Sequence, residues 1–165
     1  MSSSSESEEQ FQGEQEQQHT KPCKAGALRK GDYIVIKGFP CKIVEVTTSK
    51  TGKHGHAKAH ITALDIFTNR KYEDHQPSSH NVEVPFVDKN EYDLIDIKED
   101  GGITYLQEDG EYNETLSLNT ESELFQKIFE SFENGDQLMI SVTSAMGNDH
   151  VTDFRKDTSA WVIYF

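Results

Sequence analysis

The chain has 165 residues, 34% hydrophobic and 27% charged, with a formal net charge of −13. It holds no run of about 18 or more apolar residues, which excludes a helical membrane span. Its two cysteines, Cys23 and Cys41, form no CxxC pair, which argues against a disulfide framework or a cysteine-based zinc site.

The charge is distributed unevenly. Residues 1–20 hold five Glu and no Lys or Arg, residues 21–85 hold 11 basic and 6 acidic side chains, and residues 86–165 hold 5 basic and 18 acidic. A basic middle between two acidic ends can meet phosphate locally, because screening limits charge effects to about 8–10 Å in physiological salt. The first twenty residues, rich in Ser, Glu and Gln, cannot bury enough surface to offset ordering entropy and are expected to be a disordered acidic tail. They lack the basic start and apolar middle of a secretory signal, so an intracellular, reducing compartment is expected.

Order is expected from Lys21-Pro22. Strands are predicted over Tyr33–Ile36, Phe39–Thr48, Ala57–Phe67, Tyr72–Asp74 and Asn81–Val84, where β-branched and aromatic residues alternate between Gly turns. Five short strands in so few residues suggest a small bent barrel, since closure removes exposed edges. A boundary is expected over Pro85–Asn90, where a proline that cannot donate to a central ladder coincides with the change of charge. Beyond it, strands are predicted over Tyr92–Lys98, Ile103–Gln107 and Thr115–Leu118, with Glu108-Asp109-Gly110 as a turn. Thr120 and Glu123 form a capping box before a helix carrying Leu124, Phe125, Ile128, Phe129 and Phe132, and Gly135 should end it. Gln137–Thr143 reads as a strand with Leu138, Ile140 and Val142 inward. Three strands, a helix and further strands is the order of an OB-fold, a five-stranded barrel that often binds oligonucleotides. The apolar end Trp161–Phe165 would be an aggregation hazard if exposed and is expected to form a last strand of the second barrel, with docking against another surface as the alternative. The organisation is therefore a tail over 1–20, a basic barrel over 21–85 and an acidic OB-fold domain over 86–165.

One segment carries chemistry. Between two predicted strands, Thr47–Lys58 contains Lys50, Lys53, Lys58, His54 and His56, with His60 just beyond, and no acid occurs from Val46 to Leu64. Gly52 and Gly55 flank Lys53-His54 and permit a tight tip. A lysine held on such a finger without a carboxylate calls for an anion, and phosphate is the obvious one. A solvated hairpin tip with no role stays open at this point, and the remaining readings of the finger are weaker. The histidines lack a Cys or carboxylate to complete a metal site, so no metal is expected. The P-loop spacing and its following helix are absent. Nothing apolar is present to activate a nucleophilic lysine, so no catalytic residue is assigned.

The run Ser49-Lys50-Thr51-Gly52-Lys53-His54-Gly55-His56-Ala57-Lys58 resembles the modification loop of the eukaryotic translation factor 5A family, whose members contain hypusine. Gly31-Asp32-Tyr33, Pro40–Glu45, Asp65–Thr68, Lys71–Asp74, Pro77–Asn81 and Val84-Pro85 fit as well, and Ile140–Met146 is the clearest later match. The resemblance spans about 21–146. It implies an all-β fold, an SH3-like barrel followed by an OB-fold with one short helix. It implies that the chain is a substrate and not an enzyme: deoxyhypusine synthase would transfer an aminobutyl group from spermidine to Lys53, and deoxyhypusine hydroxylase would complete hypusine. No separate cofactor is implied. The modified factor would bind the large ribosomal subunit near the E site, reach the acceptor end of peptidyl-tRNA, and promote peptide-bond formation at stalling sequences, elongation and termination. Its place would be the cytoplasm, with the nucleus as a second location and no membrane partner. Lys50, Thr51, Gly52, His54, Gly55, His56 and Lys58 would contact tRNA and the modifying enzymes. Lys24, Arg29, Lys30, Lys37, Lys42, Arg70 and Lys71 are candidates for phosphate contact. The alternative is an RNA-binding module that needs no modification.

Overall fold

A computed structural model describes residues 18–50 and 55–158. Most of the tail, the tip residues Thr51, Gly52, Lys53 and His54, and the predicted terminal strand Trp161–Phe165 lie outside them. The elements in chain order are β1 (Thr20–Lys24), β2 (Tyr33–Ile36), β3 (Phe39–Lys50), β4 (Ala57–Asp65), β5 (Lys71–Pro77), β6 (Asn81–Pro85), β7 (Asp88–Ile97), β8 (Ile103–Leu106), β9 (Tyr112–Asn113), α1 (Glu123–Glu133), β10 (Leu138–Ala145) and β11 (Asn148–Lys156).

The first half is a four-stranded antiparallel sheet, β2-β3-β4-β5, accompanied by the pair β1-β6. In β4, Ala59, Ile61 and Ala63 are fully buried while Lys58, His60, Thr62 and Leu64 face outward, the period-2 pattern of a one-sided strand. These residues join Leu28, Ile34, Ile36, Cys41, Ile43 and Val82 in one core. Two turns explain motifs seen in the sequence. Asp65 is 4% exposed, and its Oδ1 accepts the N–H groups of Phe67 and Thr68, so a short carboxylate closes the turn from β4 to β5. Asp32 accepts the N–H of Arg29, while Gly31, at φ +94, donates its N–H to Ile43.

Cys41 lies inside this core. Burial, with Asp65 nearby as a second cause, pushes its thiol up to about 11. Iodoacetamide is therefore expected to label half-buried Cys23 in the native protein, and Cys41 only after denaturation. Rapid native labelling of both would contradict this packing.

The second half is a five-stranded sheet in the order β11-β10-β7-β8-β9, with α1 between β9 and β10. Leu138, Ile140 and Val142 point inward as expected, and pack with Leu94, Ile97, Phe125 and Ile128 in a second core. The two halves correspond to the SH3-like barrel that the resemblance implies and to the OB-fold expected from the element order.

Several expectations are corrected. His19 and Thr20, placed in the tail by composition, belong to the ordered chain: Thr20 pairs with Pro85, and the His19 carbonyl accepts the Phe86 N–H. The boundary at Pro85–Asn90 shrinks to two residues, because β6 runs through Pro85 and β7 begins at Asp88. Thr115–Leu118 is no strand. Asn113 Oδ1 accepts from the Thr115 N–H, and only the bridge Gly102↔Ser117 is formed. The helix is capped by Ser122, not Thr120. Asn119 takes the Glu121 N–H in a side-chain turn, so the helix starts later and the Ser122 hydroxyl accepts from Phe125 N at 3.1 Å. Gly135, at φ +84, follows the helix end as expected. β11 was not foreseen. Its apolar positions Val151 and Phe154 are too sparse to stand out between polar residues.

β11 is tied to β7 by Arg155, whose Nε and a terminal guanidinium nitrogen each donate to Glu91 at 3.0 Å. The hydrogen bond from Arg155 holds Glu91 below the usual carboxylate range. A carboxyl held low when folded adds stability above its unfolded pKa and loses it as pH falls through the folded value. Arg155→Ala is expected to lower the urea midpoint slightly at neutral pH, the difference closing as acid protonates Glu91. A difference that persists unchanged into strong acid would refute this.

Candidate nucleic-acid interface

The finger is an extension of β3 and β4. Their ladder runs from Cys41↔Asp65 to Lys50↔Ala57 and makes a long two-stranded arm. β5 supports it as far as Lys58↔Pro77. On the outer face the cross-strand rows are Ser49–Lys58–Pro77, then Thr47–His60–His75, then Glu45–Thr62–Glu73. The nearest acid along this ladder is Asp74, opposite Ile61, and its carboxylate already accepts from Gln76 Nε2 and the His75 N–H. From that row to Lys50↔Ala57 is about 13 Å at strand rise, which exceeds the screening length in physiological salt. Cations at the end of the arm are therefore not neutralised by acids along it.

His60 and His75 stack nearly parallel, with ring centroids 4.1 Å apart and an interplanar angle of 13°. His60 Nε2 is buried and has no partner in the described structure. The pair stiffens the arm across two strands. Sequence reading placed His60 in a histidine cluster but missed His75, because only the β4–β5 register brings the two together. Among the described residues, no group of three His, Cys, Asp or Glu side chains could hold a metal ion.

The predicted residues separate into groups. Lys50 ends β3, Gly55 and His56 precede β4, and Lys58 is exposed on the outer face. Lys42 and Lys71 flank Leu64 in one outer row, about 20 Å of strand from Lys58. Three of the phosphate candidates already have protein partners. Lys24 Nζ donates to the Ser79 carbonyl, Arg29 donates to the Gly26 and Leu28 carbonyls, and Lys71 sits 3.5 Å from Glu73. Lys37, at φ +53 in the turn between β2 and β3, lies 6.0 Å from the centre of the Tyr72 ring. Lys30 is exposed, and Arg70 is exposed in the turn before β5.

Fold and arm together define a two-part β protein whose first half carries a long two-stranded arm. Two family models match nearly all of the described chain: "Translation initiation factor 5A-like, N-terminal" over 18–80, and "Eukaryotic elongation factor 5A hypusine, DNA-binding OB fold" over 86–155. The second match runs past Met146 and covers most of β11. Eukaryotic translation initiation factor 5A-4 of Solanum tuberosum is 50% identical over 149 residues, covering 89% of this chain and 94% of its own. Factor 5A-1 of Arabidopsis thaliana is 52% identical over 132 residues, covering 80% and 84%. Among solved structures, a translation initiation factor 5A family protein from Naegleria fowleri superposes with a TM-score of 0.77 at 50% identity, covering 83% of this chain and 99% of its own. The factor from Methanococcus jannaschii gives 0.66 at 31%, covering 84% and 96%. The chain belongs to the translation initiation factor 5A family, a family of translation factors that associate with the ribosome.

Proposed function

We infer that the chain acts as a hypusine-modified elongation factor, with Lys53 as the modified residue. The observation that carries this is the arm itself: no acid occurs from Val46 to Leu64, and the β3–β4 ladder closes at Lys50↔Ala57, on either side of Lys53 in the sequence. Deoxyhypusine synthase would add the aminobutyl group of spermidine to Lys53, and deoxyhypusine hydroxylase would hydroxylate it. Lysine already offers a flexible stem and a compact charge. An added aminobutyl arm makes a longer dication that can follow a phosphate backbone into a narrow channel. Bound near the E site, it would steady the acceptor end of peptidyl-tRNA. Restored reacting geometry is a large contribution in any bimolecular step, and it matters most where consecutive prolines slow the reaction. Lys50, Gly55, His56 and Lys58 would flank the contact.

Mass spectrometry of the Lys53 peptide from native material tests this. The expected result is a gain of one aminobutyl group and one oxygen on Lys53. Unmodified Lys53 in native protein would move the modification-free RNA-binding reading to first place.

A further inference from the structure

A cleft of about 230 Å³ opens between the two sheets. Its apolar walls are Val44, Leu64, Ile66 and Val87. Val44 is there because the β3–β4 register shifts between Ile43 and Glu45, and the bulge leaves its aliphatic side chain 37% exposed. Lys42 from the first half and Lys89 from the second both line the cleft, and neither has an ion pair among the described residues. The carboxylate in the wall, Asp65, is committed to the N–H groups of its own turn. Among the described residues, no hydrogen bond engages the Tyr33 hydroxyl or the Asn69 side-chain amide, both also in the wall. The cleft thus combines an aliphatic floor, unspent polar groups and two cations contributed from opposite sides.

We propose that this cleft holds one unstacked nucleotide of single-stranded RNA. The base lies among Val44, Leu64, Ile66 and Val87, Tyr33 and Asn69 meet its polar edge, and Lys42 and Lys89 take the phosphate. The volume is below the roughly 300–1,000 Å³ of drug-sized sites, which suits a single flat base. Unpaired bases are the part of RNA that proteins read most readily. The proposal rests on the RNA-facing role inferred above, but it concerns a different surface from the arm.

Amide NMR of the full chain tests it, with three titrants: a short single-stranded RNA, adenosine monophosphate, and inorganic polyphosphate. The RNA is expected to shift Val44, Ile66, Val87 and Thr152 saturably. The double variant Lys42→Ala/Lys89→Ala should weaken that binding about tenfold or more and reduce the salt slope by about 1. Val44→Asp, on an exposed bulge, should abolish the cleft shifts while leaving the rest of the spectrum in place. Three results would each overturn the proposal. Polyphosphate could reproduce the shifts, meaning charge alone acts. The mononucleotide could saturate the cleft while RNA does not, meaning the ligand is a free nucleotide. RNA could shift only residues 55–60. Each leaves the Lys53 modification untouched, since mass spectrometry reads that separately.

Discussion

Cells that depend on this chain alone are expected to stop growing when Lys53 is replaced by Arg. Arginine keeps the positive charge and a long stem, so generic attraction to phosphate survives. It cannot become hypusine, so the longer dication is lost. If the arm works by steadying a tRNA end, peptide-bond formation at consecutive prolines should slow by on the order of tenfold or more, about 1.4 kcal/mol or more in barrier. Lys50→Arg and Lys58→Arg are the comparisons, since they keep a neighbouring charge and the modified position, and both should lose less than Lys53→Arg. The decisive comparison is growth and stall relief of Lys53→Arg beside its RNA affinity. Activity equal to wild type would leave the protein as an unmodified RNA-binding module.

The fold was legible in the sequence wherever one face of a strand met a core. Tyr33–Ile36 appears with the expected bounds, and Ile140 is fully buried as its alternation required. Legibility failed where side chains, not hydrophobic period, decide the path. Asn119 redirects the chain before α1, and Asn113 diverts Thr115–Leu118 away from a ladder. The arm was visible as an acid-free run between strands, a local property. The His60–His75 stack and the cleft between the sheets depend on register and on contacts between distant segments, such as the 4.2 Å approach of Phe67 and His150. No window of sequence contains those relations.

Ile61 offers the sharpest test of how the arm is supported. It is fully buried, sits between Val46 and Asp74 in the register, and belongs to β4, an interior strand with hydrogen-bonded neighbours on both sides. Flanking strands prevent the site from collapsing, so Ile61→Ala should cost about 2–5 kcal/mol. That is a large share of the roughly 5–15 kcal/mol that holds a domain of ordinary stability. The two cores share no residues, so the halves on either side of Pro85 are expected to open as separate units. Amide exchange after Ile61→Ala should then accelerate across β2, β3, β4 and β5 while β7 and β10 stay protected, and Ile128→Ala should do the reverse. Equal acceleration in both halves would show one cooperative unit instead. A loss below about 1 kcal/mol would contradict the packing of β4 itself. If the first half does loosen alone, the arm loses the frame that presents Lys53. Modification of Ile61→Ala by the synthase should then slow in proportion to the population opened, although Ile61 itself lies inside the barrel.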